Sequence, residues 1–270
     1  MKAIVNKQVC PLYSRPTRES TLVDEVLYGM VVDILEEPAP GWFRVRTHYR
    51  YEGLAAGEDL LPAGAEDWLE KPKLVVLGKN QCDVLSEPRV QGWQMQALTR
   101  GCLVVPEGGP EDGWQKVLLA DGRRGFVPAP VMAPQALAPV SQEEQELRKA
   151  LVDTAMLYQG THYRWGGKSP LGIDCSGLCS MAYLLCGIMI YRDAKITEGF
   201  PLHEIPLERI APGDLLFFPG HVAMYIGHGR YCHSTAKNGS NGFAINSLDP
   251  GAPDYREDLH HTITRVGSYF

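Results

Sequence analysis

One cysteine stands where the sequence predicts the start of a helix. Asp174 comes directly before Cys175 and suits an N-cap, and the apolar run 178–188 that follows contains Gly187, which is able to end a helix. A thiol in the first turn lies at the positive end of the helix dipole, which lowers the thiol pKa and favours the nucleophilic thiolate. The sequence therefore predicts that Cys175 acts as a nucleophile.

Two histidines downstream supply the partners that such a nucleophile needs. His221 lies in the strand-like segment Pro-Gly-His-Val-Ala-Met-Tyr-Ile-Gly, and His233 follows in Arg-Tyr-Cys-His-Ser. The 12 residues from one to the other are enough for a hairpin, so the two side chains are predicted to meet on adjacent strands. A base and a group that orients the base complete the arrangement of a nucleophilic triad.

The other cysteines give little support for a metal site or a cofactor. The chain has seven cysteines, an odd number, and no Cys-x-x-Cys pair. Cys232 and His233 are adjacent in a predicted strand, so their side chains point to opposite faces. Cys179 and Cys186 fall inside the predicted helix and are expected to be small buried residues. We expect reduced, inert thiols apart from Cys175, and neither a metal nor a cofactor.

The composition argues against two classes of partner. The 270 residues carry a formal net charge of −6 and no basic cluster, so nucleic acid is not an expected partner. No stretch approaches the roughly 18 apolar residues of a membrane span, so no membrane partner is expected either. The N-terminal segment lacks a long apolar region, which predicts a cytoplasmic protein, although an exported protein whose leader had been removed would look the same. The sequence leaves the oligomeric state open.

The first half of the chain contains an internal repeat with an offset of 72 residues, the distance from Trp42 to Trp114. Within each copy, short apolar runs alternate with turn signals, which is typical of a small closed barrel. A repeat of this length indicates a duplicated domain, so we predict one barrel over residues 1–70 and another over residues 71–135. Both tryptophans are expected in the barrel cores. Other identities at the same offset pair Cys10 with Cys82, Ser14 with Ser86, Pro16 with Pro88, Gly29 with Gly101 and Gly53 with Gly125.

The second half predicts an α+β domain over residues 141–270. Ser141 to Glu144 form a capping box at which a helix is expected to begin. The segment 191–212, which follows the cysteine-bearing helix, is expected to be irregular. The cysteine helix should then pack on an antiparallel sheet that bears the histidines. The strands of this sheet are predicted at residues 214–218, 222–226, 230–234, 243–248 and 261–266.

Four motifs of the second half occur together in the order of a known family. They are Tyr163-Arg-Trp165-Gly-Gly, Asp174-Cys175-Ser176-Gly177, Pro212-Gly213-Asp214-Leu-Leu-Phe-Phe and Gly220-His221-Val222-Ala-Met-Tyr-Ile-Gly227. Through them, the domain resembles the NlpC-type cell-wall peptidases, papain-like cysteine enzymes that cut peptidoglycan peptides. The resemblance implies that Cys175 is the nucleophile, His221 the base and His233 the third, orienting group. The first half resembles tandem bacterial SH3-like domains. The expected fold is therefore multidomain, with two small all-β SH3-like barrels before an α+β papain-like catalytic domain.

The whole arrangement is similar to the γ-D-glutamyl-L-diamino-acid endopeptidases that recycle murein peptides. That subgroup requires a free N-terminal L-Ala, which implies a murein tripeptide or tetrapeptide as the substrate. It also calls for an acidic residue of the first barrel, for which Glu19 and Glu25 are both candidates. The resemblance further implies six substrate-binding residues: Asp174 and Ser176 at the amine, Tyr163 and Trp165 along the pocket, Tyr51 reaching in from the first barrel, and Asp193 at the acidic end.

Two other functions stay open on sequence grounds. A wall-binding protein would rely on the barrels and carry a degenerate catalytic domain, although the complete Cys-His-His set argues against this interpretation. A papain-like amidase or acyltransferase would use the same three residues on a different amide or ester. The endopeptidase hypothesis predicts turnover of released peptides inside the cell, because a pocket that reads a free amine excludes intact wall, where that terminus is in amide linkage.

Overall fold

Two seven-stranded antiparallel sheets make up residues 1–135, which form one compact unit of the computed structural model. The structure describes residues 1–237 and 239–270. The first sheet consists of β1 (Lys2–Val5), β2 (Val9–Tyr13), β3 (Leu22–Leu27), β4 (Val31–Ala39), β5 (Trp42–Thr47), β6 (Glu52–Ala56) and β7 (Leu60–Leu61). The second follows the helix α1 (Ala65–Glu70) and consists of β8 (Leu74–Val76), β9 (Gln81–Leu85), β10 (Gln94–Thr99), β11 (Leu103–Pro106), β12 (Trp114–Leu118), β13 (Arg124–Pro128) and β14 (Met132–Pro134).

The positions and the spatial order of these strands confirm the predicted repeat. Each strand of the second sheet begins 72 residues after its counterpart in the first. The order β3-β2-β6-β5-β4-β1-β7 in the first sheet corresponds strand for strand to β10-β9-β13-β12-β11-β8-β14 in the second. One turn of 3-10 helix precedes the last strand in both copies, at Gly57–Asp59 and at Ala129–Val131. One strand plan is therefore used twice.

Direct hydrogen bonds through Tyr28 join the two sheets, and α1, a helix that the sequence analysis did not predict, is bonded to the first sheet. Trp68 Nε1 donates to Gly29 O at 2.8 Å, and Leu103 N donates to Tyr28 O at 2.8 Å. The Tyr28 hydroxyl also accepts from Ala120 N at 2.8 Å. The predicted boundary between residues 70 and 71 falls at the end of α1, and the division into two separate barrels stays a prediction.

Gly29 lies at a close approach between the two sheets, and we expect Gly29→Ala to lower the free energy of unfolding by more than ~1 kcal/mol. Its φ is +80°, and a Cβ there would lie 2.1 Å from the main-chain oxygen of Leu103. Gly41→Ala is the matched control, because φ is +74° there and no atom lies within 4 Å of the added Cβ. Urea unfolding of both variants is the measurement, and equal losses would contradict the close-approach argument.

The second compact unit, residues 136–270, combines helices with a six-stranded antiparallel sheet, which is the α+β arrangement predicted for this half. Its helices are α2 (Glu144–Met156), α3 (Cys175–Leu185) and the short α4 (Glu257–His260), and a ribbon of β15 (Lys168–Ser169) and β16 (Gly172–Ile173) precedes α3. The sheet contains β17 (His203–Ile205), β18 (Leu215–Phe218), β19 (His221–Gly227), β20 (Arg230–Thr235), β21 (Gly242–Ser247) and β22 (Arg265–Ser268). Their spatial order is β17-β22-β18-β19-β20-β21, and α3 lies against β19 and β20.

The helix predicted to begin at the Ser141 capping box begins later. The residue at its N-cap is Glu143, which makes no side-chain cap, and α2 starts at Glu144. The Ser141 hydroxyl instead accepts a hydrogen bond from Glu143 N at 3.0 Å. The serine therefore closes a turn in front of the helix, because its oxygen is already used two residues on.

The last predicted strand, 261–266, is also shifted. Thr262 Oγ1 donates to Leu259 O at 2.9 Å and closes the turn after α4, so the strand begins only at Arg265. The segment 191–212, expected to be irregular, contains the edge strand β17. The other four predicted strands are present, with ends that differ by one residue. In the part of the chain that the structure describes, every helix is too short or too polar to span a bilayer.

Candidate active site

Asp174 fixes the first turn of α3, as the sequence predicts. Its backbone is extended, and its Oδ1 atom accepts a hydrogen bond from Gly177 N at 2.6 Å, which is the geometry of an N-cap. Cys175 is therefore the first residue of the helix, and only 6% of it is exposed. Ser234 Oγ of β20 donates to Ile173 O at 2.7 Å and ties the sheet to the chain just before the cap.

A buried arginine that the sequence analysis missed holds the same carboxylate. Arg192 is 1% exposed, and its Nη1 and Nη2 atoms donate to Oδ1 and Oδ2 of Asp174 at 3.0 and 3.1 Å. It also donates to Ser176 Oγ at 2.7 Å. Gly166 N adds a further hydrogen bond to Asp174 Oδ2 at 2.8 Å. The two residues expected to bind a substrate amine are thus both tied to Arg192, and their binding role stays a prediction.

The thiol of Cys175 is not acidified in the free protein, so the expectation of a lowered pKa is wrong. Burial, with a smaller contribution from the negative charge of Asp174, raises its pKa to about 11. The backbone N–H groups of Val222 and Ser176 and the charge of Arg192 act in the opposite direction but are outweighed. Burial therefore outweighs the helix dipole at this position. Near pH 7 the group is a neutral thiol.

The histidines meet through the register of adjacent strands. Met224 pairs with Cys232, which places His221 and His233 in diagonal positions on one face of β19 and β20. His221 Nε2 lies 2.7 Å from His233 Nδ1, and the ring centroids are 5.0 Å apart. The predicted hairpin contact between the two histidines is therefore present.

The thiol lies beside this pair. The N–H of Val222, the residue that follows His221, lies close enough to the sulfur of Cys175 to act on its pKa. This contact links the N-terminus of α3 to the first residues of β19. The residues predicted as nucleophile, base and orienting group are thus gathered at one place, and their catalytic roles stay predictions.

An asparagine that the sequence analysis missed extends the row of histidines to the next strand. Asn246 Oδ1 on β21 lies 2.9 Å from His233 Nε2, and Asn246 Nδ2 donates to Asp254 O at 2.6 Å. His233 pairs with Ala244, so Asn246 is its diagonal neighbour on the same face. Alternation along β21 could have placed Asn246 on that face, but only the register shows which residue of β20 it meets.

Both histidines are neutral in this environment near pH 7. Burial, followed by the positive charge of Arg256, lowers the pKa of His221 to about 4. Burial, followed by the proximity of His221, lowers the pKa of His233 to about 3. A neutral imidazole is the form that accepts a proton, so this environment suits His221 to the role of a base.

The other substrate-binding residues predicted in this half of the chain, Tyr163, Trp165 and Asp193, differ in how near the site and how exposed they are. Burial and the charges of Cys175 and Asp174 raise the pKa of Tyr163, which places its hydroxyl near the site. Trp165 is 63% exposed. Asp193 lines a small pocket together with residues that include Ser176 and Val222. The binding roles of all these residues stay predictions.

The first-barrel candidates are in the other compact unit. Tyr51 lies in the turn between β5 and β6, and its N–H donates to Thr47 Oγ1 at 2.9 Å. Glu19 is exposed in the loop between β2 and β3, whereas Glu25 is buried in β3. Their roles toward a substrate stay predictions.

All seven cysteines are free thiols. Cys82 is half-buried and the other six are buried. Within residues 1–237 and 239–270, no group of three or more His, Cys, Asp or Glu side chains is arranged to hold a metal ion. Burial raises the thiol pKa of Cys179 well above its ordinary value, as it does for the other buried cysteines.

Comparison with known proteins gives matches at the level of sequence and fold. Residues 160–255 match the NlpC/P60 family. The chain is 46% identical over 275 residues to the dipeptidyl-peptidase 6 of Lysinibacillus sphaericus, with 100% of both chains covered. It is 34% identical over 143 residues to the gamma-D-glutamyl-L-lysine dipeptidyl-peptidase of Bacillus subtilis strain 168, which covers 48% of this chain and 44% of that protein. The crystal structure of an NlpC/P60 family protein from Bacillus cereus shares the fold, with a TM-score of 0.82, 20% identity and coverage of 100% of this chain and 99% of that one.

The matched region contains the residues that the geometry brings together. Residues 160–255 include Cys175, His221, His233 and Asn246. The Lysinibacillus relative is similar over the whole chain, so the likeness also extends over the two repeated sheets. The chain therefore belongs to the NlpC/P60 family of cell-wall cysteine peptidases.

Proposed function

We propose that the protein cleaves the bond between γ-D-Glu and the diamino acid of murein peptides whose N-terminal L-Ala is free. The observation that carries the proposal is the 2.7 Å contact between His221 and His233 beside the Cys175 thiol. In this proposal Cys175 is the nucleophile, His221 is the general base, and His233 orients His221.

The proton moves as the new bond forms, because the thiol and both imidazoles are neutral beforehand. His221 accepts the Cys175 proton while Sγ attacks the γ-carbonyl carbon of D-Glu, and the carbonyl oxygen becomes an oxyanion. The backbone N–H at the start of α3 faces this oxyanion, a role worth about 3 kcal/mol per donor. His221 then protonates the leaving amine of the diamino acid, which leaves a thioester. Water, deprotonated by His221, attacks the thioester carbonyl, the C–S bond breaks to free L-Ala-D-Glu, and the Cys175 sulfur takes the proton back from His221.

The names of the relatives support the substrate class. The full-length relative is named a dipeptidyl-peptidase, and the Bacillus subtilis relative is named for the γ-D-glutamyl-L-lysine bond. To release a dipeptide, an enzyme has to bind the free N-terminal amine of its substrate and cleave after the second residue. In the proposal Asp174, Ser176 and Asp193 form the acidic and polar end that reads this amine, and Tyr163, Trp165 and Tyr51 shape the rest of the pocket.

The proposal extends to the domains and to the place of action. We assign the repeated sheets to two SH3-like barrels, residues 1–70 and 71–135, and residues 141–270 to the catalytic domain. The short antiparallel strands and the repeated strand order support this assignment. Since the N-terminal L-Ala of intact wall is in amide linkage, the proposed substrates are released tripeptides or tetrapeptides, and the proposed role is recycling of murein peptides in the cytoplasm.

Mass spectrometry of three incubations tests the proposal. The peptides are L-Ala-γ-D-Glu-meso-diaminopimelate, its L-Lys counterpart and the N-acetylated form of the first. We expect release of L-Ala-D-Glu from at least one free peptide. The acetylated peptide should react at least about 100-fold more slowly, because acetylation removes the charge and leaves buried polar groups of the site without partners.

The other outcomes separate the alternative functions. Equal cleavage of the free and the acetylated peptide would keep the peptidase but contradict amine recognition and recycling. Absence of cleavage of all three peptides would favour an amidase or acyltransferase acting on another bond, or a wall-binding role. Rapid lysis of purified sacculi would contradict the restriction to released peptides.

A further inference from the structure

The orientation of the Asn246 amide is set by a main-chain carbonyl. Asn246 Nδ2 lies 2.6 Å from Asp254 O, and a carbonyl oxygen is only able to accept a hydrogen bond. The amide nitrogen must therefore face Asp254, which leaves the acceptor Oδ1 against His233 Nε2 at 2.9 Å. The parallel bridge between Ser247 and Tyr255 holds the two segments together next to this contact.

This orientation decides where the protons of both histidines lie. Because Asn246 Oδ1 is an acceptor, His233 Nε2 must carry its proton, and the neutral ring then has a lone pair on Nδ1. That lone pair lies 2.7 Å from His221 Nε2, so His221 Nε2 must be the donor. The only ring nitrogen of His221 left with a lone pair is Nδ1. The low pKa values of the two imidazoles agree with a neutral pair.

We propose that Asn246, held by the carbonyl of Asp254, is a positioning residue that sets the tautomers of both histidines and so keeps the Nδ1 lone pair of His221 available for the Cys175 proton. The inference rests on the roles proposed above for Cys175 and the histidines. With the opposite tautomers, His233 Nδ1 would donate to His221 Nε2, and His221 Nδ1 would carry a proton and fail as a base. Asn246 Oδ1 disfavours that state, because it has no proton to offer to an unprotonated His233 Nε2.

Substitutions at Asn246 leave the other titratable and charged side chains around the histidines in place. A shift of the pH profile in Asn246 variants would therefore report on the pKa values of the histidine pair. The titratable or charged side chains that face the pair are those of Cys175, Asp174, Arg256, Asp258 and Tyr231.

The first readout is spectroscopic and does not need a substrate. Long-range ¹H–¹⁵N correlation spectra of ¹⁵N-histidine-labelled protein distinguish Nδ1–H from Nε2–H tautomers. We expect both His221 and His233 to carry the proton on Nε2 in the unsubstituted protein. In Asn246→Leu, we expect a mixture of Nδ1–H and Nε2–H tautomers. A wild-type His233 that carries its proton on Nδ1 would overturn the inference, whatever the substrate proves to be.

The second readout is the kinetics of tripeptide cleavage. We expect Asn246→Leu to lower kcat about 100-fold with little change in KM, since a wrong tautomer removes the base without removing substrate contacts. Asn246→Asp keeps an acceptor toward His233, so it should retain more activity and move the acid limb of the kcat/KM profile upward by about one pH unit, because a carboxylate stabilises the protonated imidazole. Asn246→Leu with unchanged kcat would overturn the inference.

Ser247→Ala controls for loosening of β21. Ser247 Oγ accepts from Asp249 N at 3.0 Å, so this variant weakens the neighbouring turn without touching either histidine. It should lower thermal stability while leaving the tautomers and the acid limb unchanged. If Ser247→Ala and Asn246→Leu shifted the tautomers and kcat equally, Asn246 would have only a structural role. Absence of tripeptide cleavage by the unsubstituted protein, with the tautomers as expected, would instead refute the proposed function alone.

Discussion

Replacing Cys175 with serine should lower kcat for the murein tripeptide by at least about 10⁴-fold. The hydroxyl is a far weaker nucleophile than the thiol, and nothing at this position compensates, since burial already disfavours the anionic form of the side chain. The fold should be unaffected, because Asp174 caps the helix through Gly177 N and not through the thiol. Rates from mass spectrometry of the released dipeptide, beside thermal unfolding curves, are the measurement.

The matched control lies one turn along the same helix. Cys179 is as deeply buried as Cys175, and its thiol has no place in the proposed chemistry. Cys179→Ala should therefore keep kcat within a few-fold of the unsubstituted protein. Equal losses for the two variants would show that packing of α3, rather than nucleophilic attack, explains the effect.

Substitution of the proposed base, His221, checks the proposed mechanism independently. His221→Gln should cost about as much as Cys175→Ser, and the double variant should cost little more than either, because residues that act as one unit lose their effect together. Additive losses would mean that the thiol and the imidazole act in separate steps or separate sites. Near wild-type turnover of Cys175→Ser would refute the mechanism outright.

The parts of this structure that follow from local sequence could be predicted, and those that depend on distant packing could not. The Asp174 cap and the contact between the two strand histidines each rest on spacing within a short segment, and the 72-residue repeat shows as identities at one fixed offset. Periodicity and turn residues carry enough information for such features. The strand that begins at Arg265 was misplaced because hydrogen bonds of Thr262 around α4 decide where it starts.

The acidity of the thiol shows how burial overrides a local rule. A helix N-terminus lowers a thiol pKa by a modest amount, whereas loss of solvent raises it by more. The sequence places Cys175 at the helix start but does not reveal how deeply the thiol is buried. Asn246 was missed for a related reason, since its partner His233 is identified only by the register of two strands and its orientation only by the main chain of Asp254.

Arg192 forms a buried ion pair, and Arg192→Met should lower the free energy of unfolding by about 3–5 kcal/mol. The guanidinium is buried and makes paired hydrogen bonds to the Asp174 carboxylate. Its removal leaves a buried negative charge that accepts hydrogen bonds from neutral donors, namely Gly177 N, Gly166 N and Ser176 Oγ. Urea unfolding measures the loss, and the cap that positions Cys175 should loosen with it.

A double variant distinguishes the effect of the unpaired buried charge on stability from the effect of the changed packing. Asp174→Asn removes the charge, so Arg192→Met combined with Asp174→Asn should cost clearly less than the sum of the single changes. Arg44→Met is the surface control, because Arg44 pairs with Glu36 where both side chains are about half exposed, and it should change stability by less than about 0.5 kcal/mol. A loss below ~1 kcal/mol for Arg192→Met, or strict additivity with Asp174→Asn, would mean that the pair is not what holds the start of α3. The coupled result would tie the position of the nucleophile to an ion pair whose two partners, Asp174 and Arg192, lie 18 residues apart in the chain.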